Sequence, residues 1–420
     1  MKNNLIIGVL LISLFTSCSA SKSLKRKYAE FNKGNQHFTG LTVINASNGD
    51  RVIDFQGDKY FTPASNVKIF TLYAALTTLT DSVSSFEYFV SGDSLIIKGA
   101  ADPTFLNDTL HNNSLNFLKN EDVNLYLSDA NLNDDVYGAG WSWDDYQYAY
   151  MPEKNLMPLF GNTIGIVQDQ HGMRVTPSFF KNRLEVIDNY KVARDFNENN
   201  FYVSKSAENL NKKVPFITSN QLVADLLSQE LNRKVTLINN DPERKYKAFN
   251  EVLYDSLYMK MMKESDNFIA EQIMLQVTHK SIQQYRVSDG INYVLDSSLA
   301  ELPQRPRWVD GSGLSRYNLF SPQSMVYLLH KMYSDIPTEK LLSYFPRGGK
   351  DGTLKNDFKE QEYIWAKSGT LSNNYSLSGY LTTKKGNLLI FSYMNNHYMG
   401  RSRQRKVEMA AFLKRLHDNY

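Results

Sequence analysis

Ser65 and Lys68, in the stretch Thr62-Pro63-Ala64-Ser65-Asn66-Val67-Lys68-Ile69-Phe70, are spaced for nucleophilic chemistry. A serine hydroxyl is a weak nucleophile until a neighbouring base takes its proton. A lysine desolvated in a buried site has a lowered pKa and can be that base. The three-residue step puts the amine one helical turn from the hydroxyl, on the same face. Thr62 is predicted to cap the helix, with Pro63 at its first position. Ser65 then falls in the first turn, where free N–H groups and the positive dipole end favour an oxyanion. The run Ile69 to Leu76 is almost wholly apolar, which predicts a buried helix. The spacing alone is weak, because Ser19-Ala20-Ser21-Lys22 matches it too and a helix start with a solvated lysine fits equally.

Two further elements follow. Ser265-Asp266-Asn267 lies between helical patterns over Tyr254 to Met262 and Phe268 to Val277. A serine held there can relay a proton between a lysine amine and a leaving group, and an Asn amide can donate to a substrate carbonyl. A helix cap suits the same residues, and Ser372-Asn373-Asn374 repeats the pattern by chance. Lys367-Ser368-Gly369-Thr370 ends a strand-like run from Tyr363 to Ala366. Strands over Ser376 to Thr382 and Leu388 to Met394 follow, which reads as antiparallel sheet. Gly369 is expected to clear space for a substrate backbone at an edge strand. Lys367, Ser368 and Thr370 are candidates to hold a substrate carboxylate, with the Thr370 and Ser65 N–H groups as an oxyanion hole. The bland alternative is a strand end with a polar turn.

In this order the three elements match Ser-x-x-Lys, Ser-x-Asn and Lys-Thr-Gly of penicillin-binding proteins and serine β-lactamases, with Ser368 replacing the threonine. Asp310-Gly311-Ser312-Gly313-Leu314-Ser315-Arg316-Tyr317-Asn318 resembles the signature of one branch, the D-alanyl-D-alanine carboxypeptidase/endopeptidase family (peptidase S13, class C low-molecular-mass penicillin-binding proteins). Segments Gly99 to Thr104, Gly140 to Asp145 and Gly348 to Leu354 are similar to that family as well. Ala100-Ala101 stands where a glycine is common.

The resemblance implies an α/β (α+β) fold of the β-lactamase/transpeptidase type, an antiparallel sheet flanked by helices. A large inserted domain would lie between the first and second motifs. About two hundred residues separate Lys68 from Ser265, which suits such an insert. The expected division is 28–85 with 246–420 for the catalytic domain and 86–245 for the insert, with Tyr246 to Leu253 returning to the first domain. The implied activity is serine D-Ala-D-Ala carboxypeptidase or D,D-endopeptidase action on peptidoglycan stem peptides, with β-lactam antibiotics as covalent inhibitors. Ser65, Lys68 and Ser265 would be catalytic and Asn267 would position the acyl chain. Asp145, or else Asp144, would receive the amine of a diamino acid in the stem peptide; an acidic surface turn is the alternative. The rivals are a β-lactamase or esterase on this fold, and a catalytically silent peptidoglycan-binding scaffold.

The remaining sequence bounds the reading. The chain has 420 residues, 13% aromatic, with a net charge of +3 that gives no basic footprint for nucleic acid. Its seven His show no metal-ligand spacing, so no metal and no cofactor is expected. With no His near the motifs a Ser-His-Asp triad is not expected, His397 being the alternative left open. Lys2 and the apolar run Leu5 to Phe15 read as a signal peptide over 1–17, too short to span a membrane. Cys18, the single cysteine, ends it as in a bacterial lipoprotein, with a polar tether to about Lys27. That predicts a periplasmic protein held by a lipid anchor; a plain signal peptide is the alternative. The last helix, Ser402 to Leu416, is expected to pack on the sheet through Val407, Ala410, Ala411 and Leu413.

Overall fold

The computed structural model of the protein describes residues 36–420 apart from 80, 81, 108, 111, 121, 122, 171, 189–191, 207 and 208. The signal run, Cys18 and the tether lie outside the described residues. In chain order, β1 (Phe38–Asn45) and β2 (Arg51–Phe55) precede helix α1 (Val67–Thr78). Next come β3 (Ser82–Ser91), β4 (Ser94–Gly99), α2 (Ser114–Asn120), β5 (Asn124–Asp129), β6 (Thr163–Asp169), β7 (Gly172–Thr176), β8 (Leu184–Ile187), β9 (Phe201–Ser204), β10 (Asn211–Pro215), α3 (Asn220–Leu231), β11 (Val235–Asn239) and β12 (Lys247–Leu253). The chain ends with α4 (Tyr254–Lys263), α5 (Asn267–Ile282), α6 (Val287–Asp296), α7 (Pro322–Asp335), α8 (Thr338–Tyr344), β13 (Ile364–Leu371), β14 (Asn374–Thr382), β15 (Leu388–Asn396) and α9 (Ser402–Asn419).

Both chain ends build one five-stranded sheet, ordered β13-β14-β15-β1-β2, in which every pairing is antiparallel. The run Leu41-Thr42-Val43-Ile44 pairs along β15 because its alternate residues bury on both faces. One face carries α1, α5 and α7 through a core that includes Phe70, Ile273, Leu328, Tyr380 and Ile390. The other carries α9 on Tyr375, Leu377, Phe391 and Tyr393. Helices therefore cover both faces, and β13 is an edge strand.

The last helix packs on the sheet through only part of the expected set, Leu413 and Ala410. Arg405, Met409, Leu413 and Leu416 are buried, while Val407 and Ala411 are exposed. A 3.6-residue period seats 409, 413 and 416 on one stripe, and the Arg405 stem completes it.

A second five-stranded sheet, β11-β5-β4-β3-β12, is mixed, with β5 parallel to both β4 and β11. β12 pairs with β3 here, so Tyr246 to Leu253 does not return to the first sheet. The two strands run between the cores. Val83 and Val252 join the core around α1, whereas Phe86 belongs to the second core and Phe249 stacks on it at 5.0 Å between ring centroids. The crossing thus falls inside β3, between Val83 and Phe86, and inside β12, between Phe249 and Val252.

Candidate active site

Ser65 lies in a 3-10 turn, Ala64–Asn66, that leads into α1. The helix does not start where Thr62-Pro63 predicts. Ala64 takes a left-handed conformation, φ 50°, which breaks the helical path, and neither Thr62 nor Pro63 makes a side-chain cap. Thr62 instead exchanges backbone hydrogen bonds with the Asn396 side chain at the end of β15. Asn66 donates to the Lys367 carbonyl at 2.9 Å, tying the Ser65 turn to β13.

The α1 run from Val67 to Ala75 is buried all round, so Lys68 cannot reach bulk water. Its Nζ has three neighbours: Ser65 Oγ at 3.1 Å, Asn267 Oδ1 at 2.7 Å and the Ser312 carbonyl at 2.6 Å. Two of these are amide carbonyl oxygens, which only accept. They occupy two N–H bonds of the amine, whatever its charge. The third position faces Ser65 Oγ, and in the neutral amine it is a lone pair aimed at the hydroxyl proton. Burial lowers the Lys68 pKa to about 8, against the opposing pull of Asp310, Asp266 and Glu271.

Ser265 joins α4 to α5 in a left-handed conformation, φ 62°, which costs a β-substituted residue about 1 kcal/mol or more. Asp266, not Ser265 or Asn267, caps α5 by accepting from the Ile269 N–H. That leaves Asn267 free to meet Lys68, and its amide also donates to the Tyr150 carbonyl at 2.9 Å. Lys367 lies 2.9 Å from Ser265 Oγ and donates to the Ser368 carbonyl. Burial first, then the charge of Lys68, pushes the Lys367 pKa well below its usual value. Ser65 and Ser265, each held by its own lysine, thus face one cavity together with Asn267.

Two expected roles are altered by the packing. A Cβ on Gly369 would meet Pro63 O at 2.5 Å and Ser65 N at 2.9 Å, so this glycine makes room for the Ser65 turn rather than for a substrate. The Ser368 hydroxyl points away and donates to Thr353 Oγ1 at 2.8 Å. A cavity of about 390 Å³ opens over Ser65, Ser265 and Asn267, with Thr370, Arg316 and Asp145 in its wall. Asp145 is half-buried in the 3-10 turn Trp143–Gln147, and Asp144 is exposed. Burial and the Asp145 carboxylate hold the Tyr150 phenol above its ordinary value.

The Asp310–Asn318 run, singled out above as a family signature, packs behind this cavity together with Glu271, which carried no motif. The Asp310 carboxylate accepts from the N–H groups of Gly313 and Ser315, from Asn318 and from the Trp141 indole at 2.6–2.9 Å. Gly313 lies against Ala64, where a Cβ would come within 2.0 Å of its carbonyl. Glu271 holds Gly311 and Ser312 from α5. The available signal was a single acid, one turn past Asn267, in the otherwise uncharged run Phe268 to Val277.

The profile of the D-Ala-D-Ala carboxypeptidase 3 (S13) family matches residues 21–177 and 249–416. The chain belongs to that family. This S13 peptidase is a serine carboxypeptidase-type hydrolase. It is 24% identical to penicillin-sensitive carboxypeptidase A of Dictyostelium discoideum, over 84% of this chain and 78% of that protein. It is 25% identical to D-alanyl-D-alanine carboxypeptidase DacB of Haemophilus influenzae, over 75% of each. The solved penicillin binding protein 4 (DacB) of H. influenzae superposes with a TM-score of 0.74 at 19% identity, covering 94% of this chain and 98% of that one. The same neighbour has been solved complexed with a β-lactam. The likeness extends to the S13 peptidase fold, with its antiparallel sheet between helices.

Proposed function

We propose that the protein removes the terminal D-alanine from peptidoglycan stem peptides through an ester on Ser65, and that penicillin acylates the same oxygen. Lys68 takes the Ser65 proton as Oγ attacks the carbonyl between the two D-alanines. Ser265, held by Lys367, relays the proton taken up by Lys68 to the departing amine, which leaves Lys68 neutral again. Asn267 steers the acyl chain, and Thr370 with Arg316 faces the terminal carboxylate. Water then cleaves the ester, releasing the shortened peptide and restoring Ser65. A cross-link presents the same D-alanyl amide, so D,D-endopeptidase cleavage uses the same steps.

The observation that carries this reading is the Lys68 amine, whose two carbonyl neighbours leave the third position to Ser65 Oγ. Asp145, in the cavity wall, would pair with the amine of a diamino acid in the stem. The region between β3 and β12 serves as an inserted domain that carries Asp145 to the cavity. Cys18 would be the lipidated N-terminus after removal of 1–17, and the tether would leave the enzyme at a periplasmic membrane face. Mixing the protein with fluorescent penicillin and then with cross-linked muropeptides, each followed by mass spectrometry, tests the reading. A stable penicilloyl adduct with D-alanine release is expected. Rapid penicillin turnover without peptide cleavage would make the protein a β-lactamase instead.

A further inference from the structure

We propose that Glu271 is a positioning residue for the acylation step, acting on Lys68 through the backbone of Ser312; this rests on the reading of Ser65 and Lys68 above. Glu271 sits on α5 four residues beyond Asn267, and is 1% exposed. Its carboxylate accepts two consecutive backbone N–H groups, Ser312 at 2.8 Å on Oε1 and Gly311 at 3.1 Å on Oε2. The carbonyls of the same two residues face α1. Gly311 O accepts from the Thr71 hydroxyl at 2.5 Å, and Ser312 O accepts from Lys68 Nζ at 2.6 Å. The loop is thus held by α5 on its donor side and by α1 on its acceptor side. A Cβ on Gly311 would come within 2.6 Å of the Ala270 carbonyl, so the loop lies on α5 with no slack.

The Ser312 carbonyl is one of the two oxygens that orient the Lys68 lone pair toward Ser65. That carbonyl shares its peptide plane with the Gly313 N–H, which Asp310 holds at 2.8 Å, while Glu271 pins the two peptides before it and so sets where the Ser312 Cα stands. An amide in place of the carboxylate offers one acceptor oxygen and turns an NH₂ group against the other N–H, so it cannot hold both. The carboxylate also favours the Lys68 ammonium, together with Asp310 and Asp266, while Asp310 and Lys154 are the charged groups that bear on Glu271 itself. Burial and Asp310 raise the Glu271 pKa, with Lys154 opposing. Glu271 and Asp310 also line a second cavity of about 760 Å³, which shares no wall residue with the one over Ser65.

The test is stopped-flow acylation by fluorescent penicillin across pH, on folded full-chain protein, with the adduct mapped to Ser65. Glu271→Gln is expected to slow the acylation step about tenfold or more while leaving the initial binding of penicillin unchanged. Its pH midpoint is expected to move down, because a carboxylate that favoured the ammonium is gone. Glu271→Asp keeps the charge but reaches only one N–H, so it should slow acylation with the midpoint held, and it carries the test if the Gln variant does not fold. Variants that melt earlier yet acylate per folded molecule at the wild-type rate and midpoint overturn the positioning role alone. Wild-type protein that takes no penicilloyl group overturns the functional reading itself, and this proposal with it.

Discussion

The Ser312 carbonyl oxygen lies 2.6 Å from the Lys68 amine, across a sequence separation of 244 residues. Together with Asn267 Oδ1 it fixes the rotation of the amine about its Cε–Nζ bond. What reaches Ser65 Oγ is therefore decided by two oxygens that belong to neither Ser65 nor Lys68.

Ser65→Ala should abolish both penicillin labelling and peptide cleavage with the melting temperature nearly unchanged, since a half-buried hydroxyl is lost. Peptide mass mapping of the wild-type adduct should find it on Ser65. An adduct on Ser265 or Ser312 would refute the mechanism.

Acylation should rise with pH through about 8, because burial depresses the Lys68 pKa to that value and the base is the deprotonated form. Below it the amine is an ammonium and has no lone pair for Ser65. The rate constant at saturating penicillin, measured from pH 6.5 to 9.5, checks the sign; a rate falling over that range contradicts it. Lys68→Arg should cost roughly 10²–10⁴-fold, since a guanidinium stays charged and cannot act as base.

Gly369→Ala should slow acylation and lower stability by about 1–3 kcal/mol, the usual cost of forcing an extra carbon into packed surroundings. The added carbon would press on Pro63 O and Ser65 N. Thermal melting and penicillin labelling measure the two effects. Normal behaviour in both would mean that the Ser65 turn can shift freely.

Asp145→Asn should weaken cleavage of amine-bearing stem peptides and leave penicillin acylation intact. Asp145 stands in the cavity wall but touches neither Lys68 nor Lys367. Parallel kcat/KM measurements on stem peptides with and without the side-chain amine make the comparison. Equal loss on both peptides and on penicillin would assign Asp145 to structure.

Cys18→Ser should release the protein from the membrane fraction and remove an acyl mass from the mature N-terminus. Identical fractionation of mutant and wild type would argue for a plain signal peptide.

Much of the chemistry was legible locally. The Ser65–Lys68 step, the Ser265-Asp266-Asn267 junction between two helical patterns, and the strand-like runs that become β13, β14 and β15 are short-range features. Spacing and periodicity record such features directly. The order of the three motifs together with the Asp310–Asn318 run supplied the family, and with it the sheet between helices.

The tertiary structure decided what those residues face. Composition could not tell that α9 buries Arg405 and exposes Val407, because that depends on the contour of β14 and β15 beneath it. The left-handed Ala64 that cancels the Thr62 cap is imposed by packing against Gly313 and Gly369 from distant segments. Gly369 reads as a substrate-facing gap until the Ser65 turn is seen filling it. The carboxylate of Glu271 looks like a surface charge on an apolar helix until the Gly311-Ser312 loop lies across it. A backbone carbonyl such as that of Ser312 carries no side-chain signature at all. Sequence names which groups can react, while the aim of a lone pair depends on contacts between segments that only the folded chain brings together.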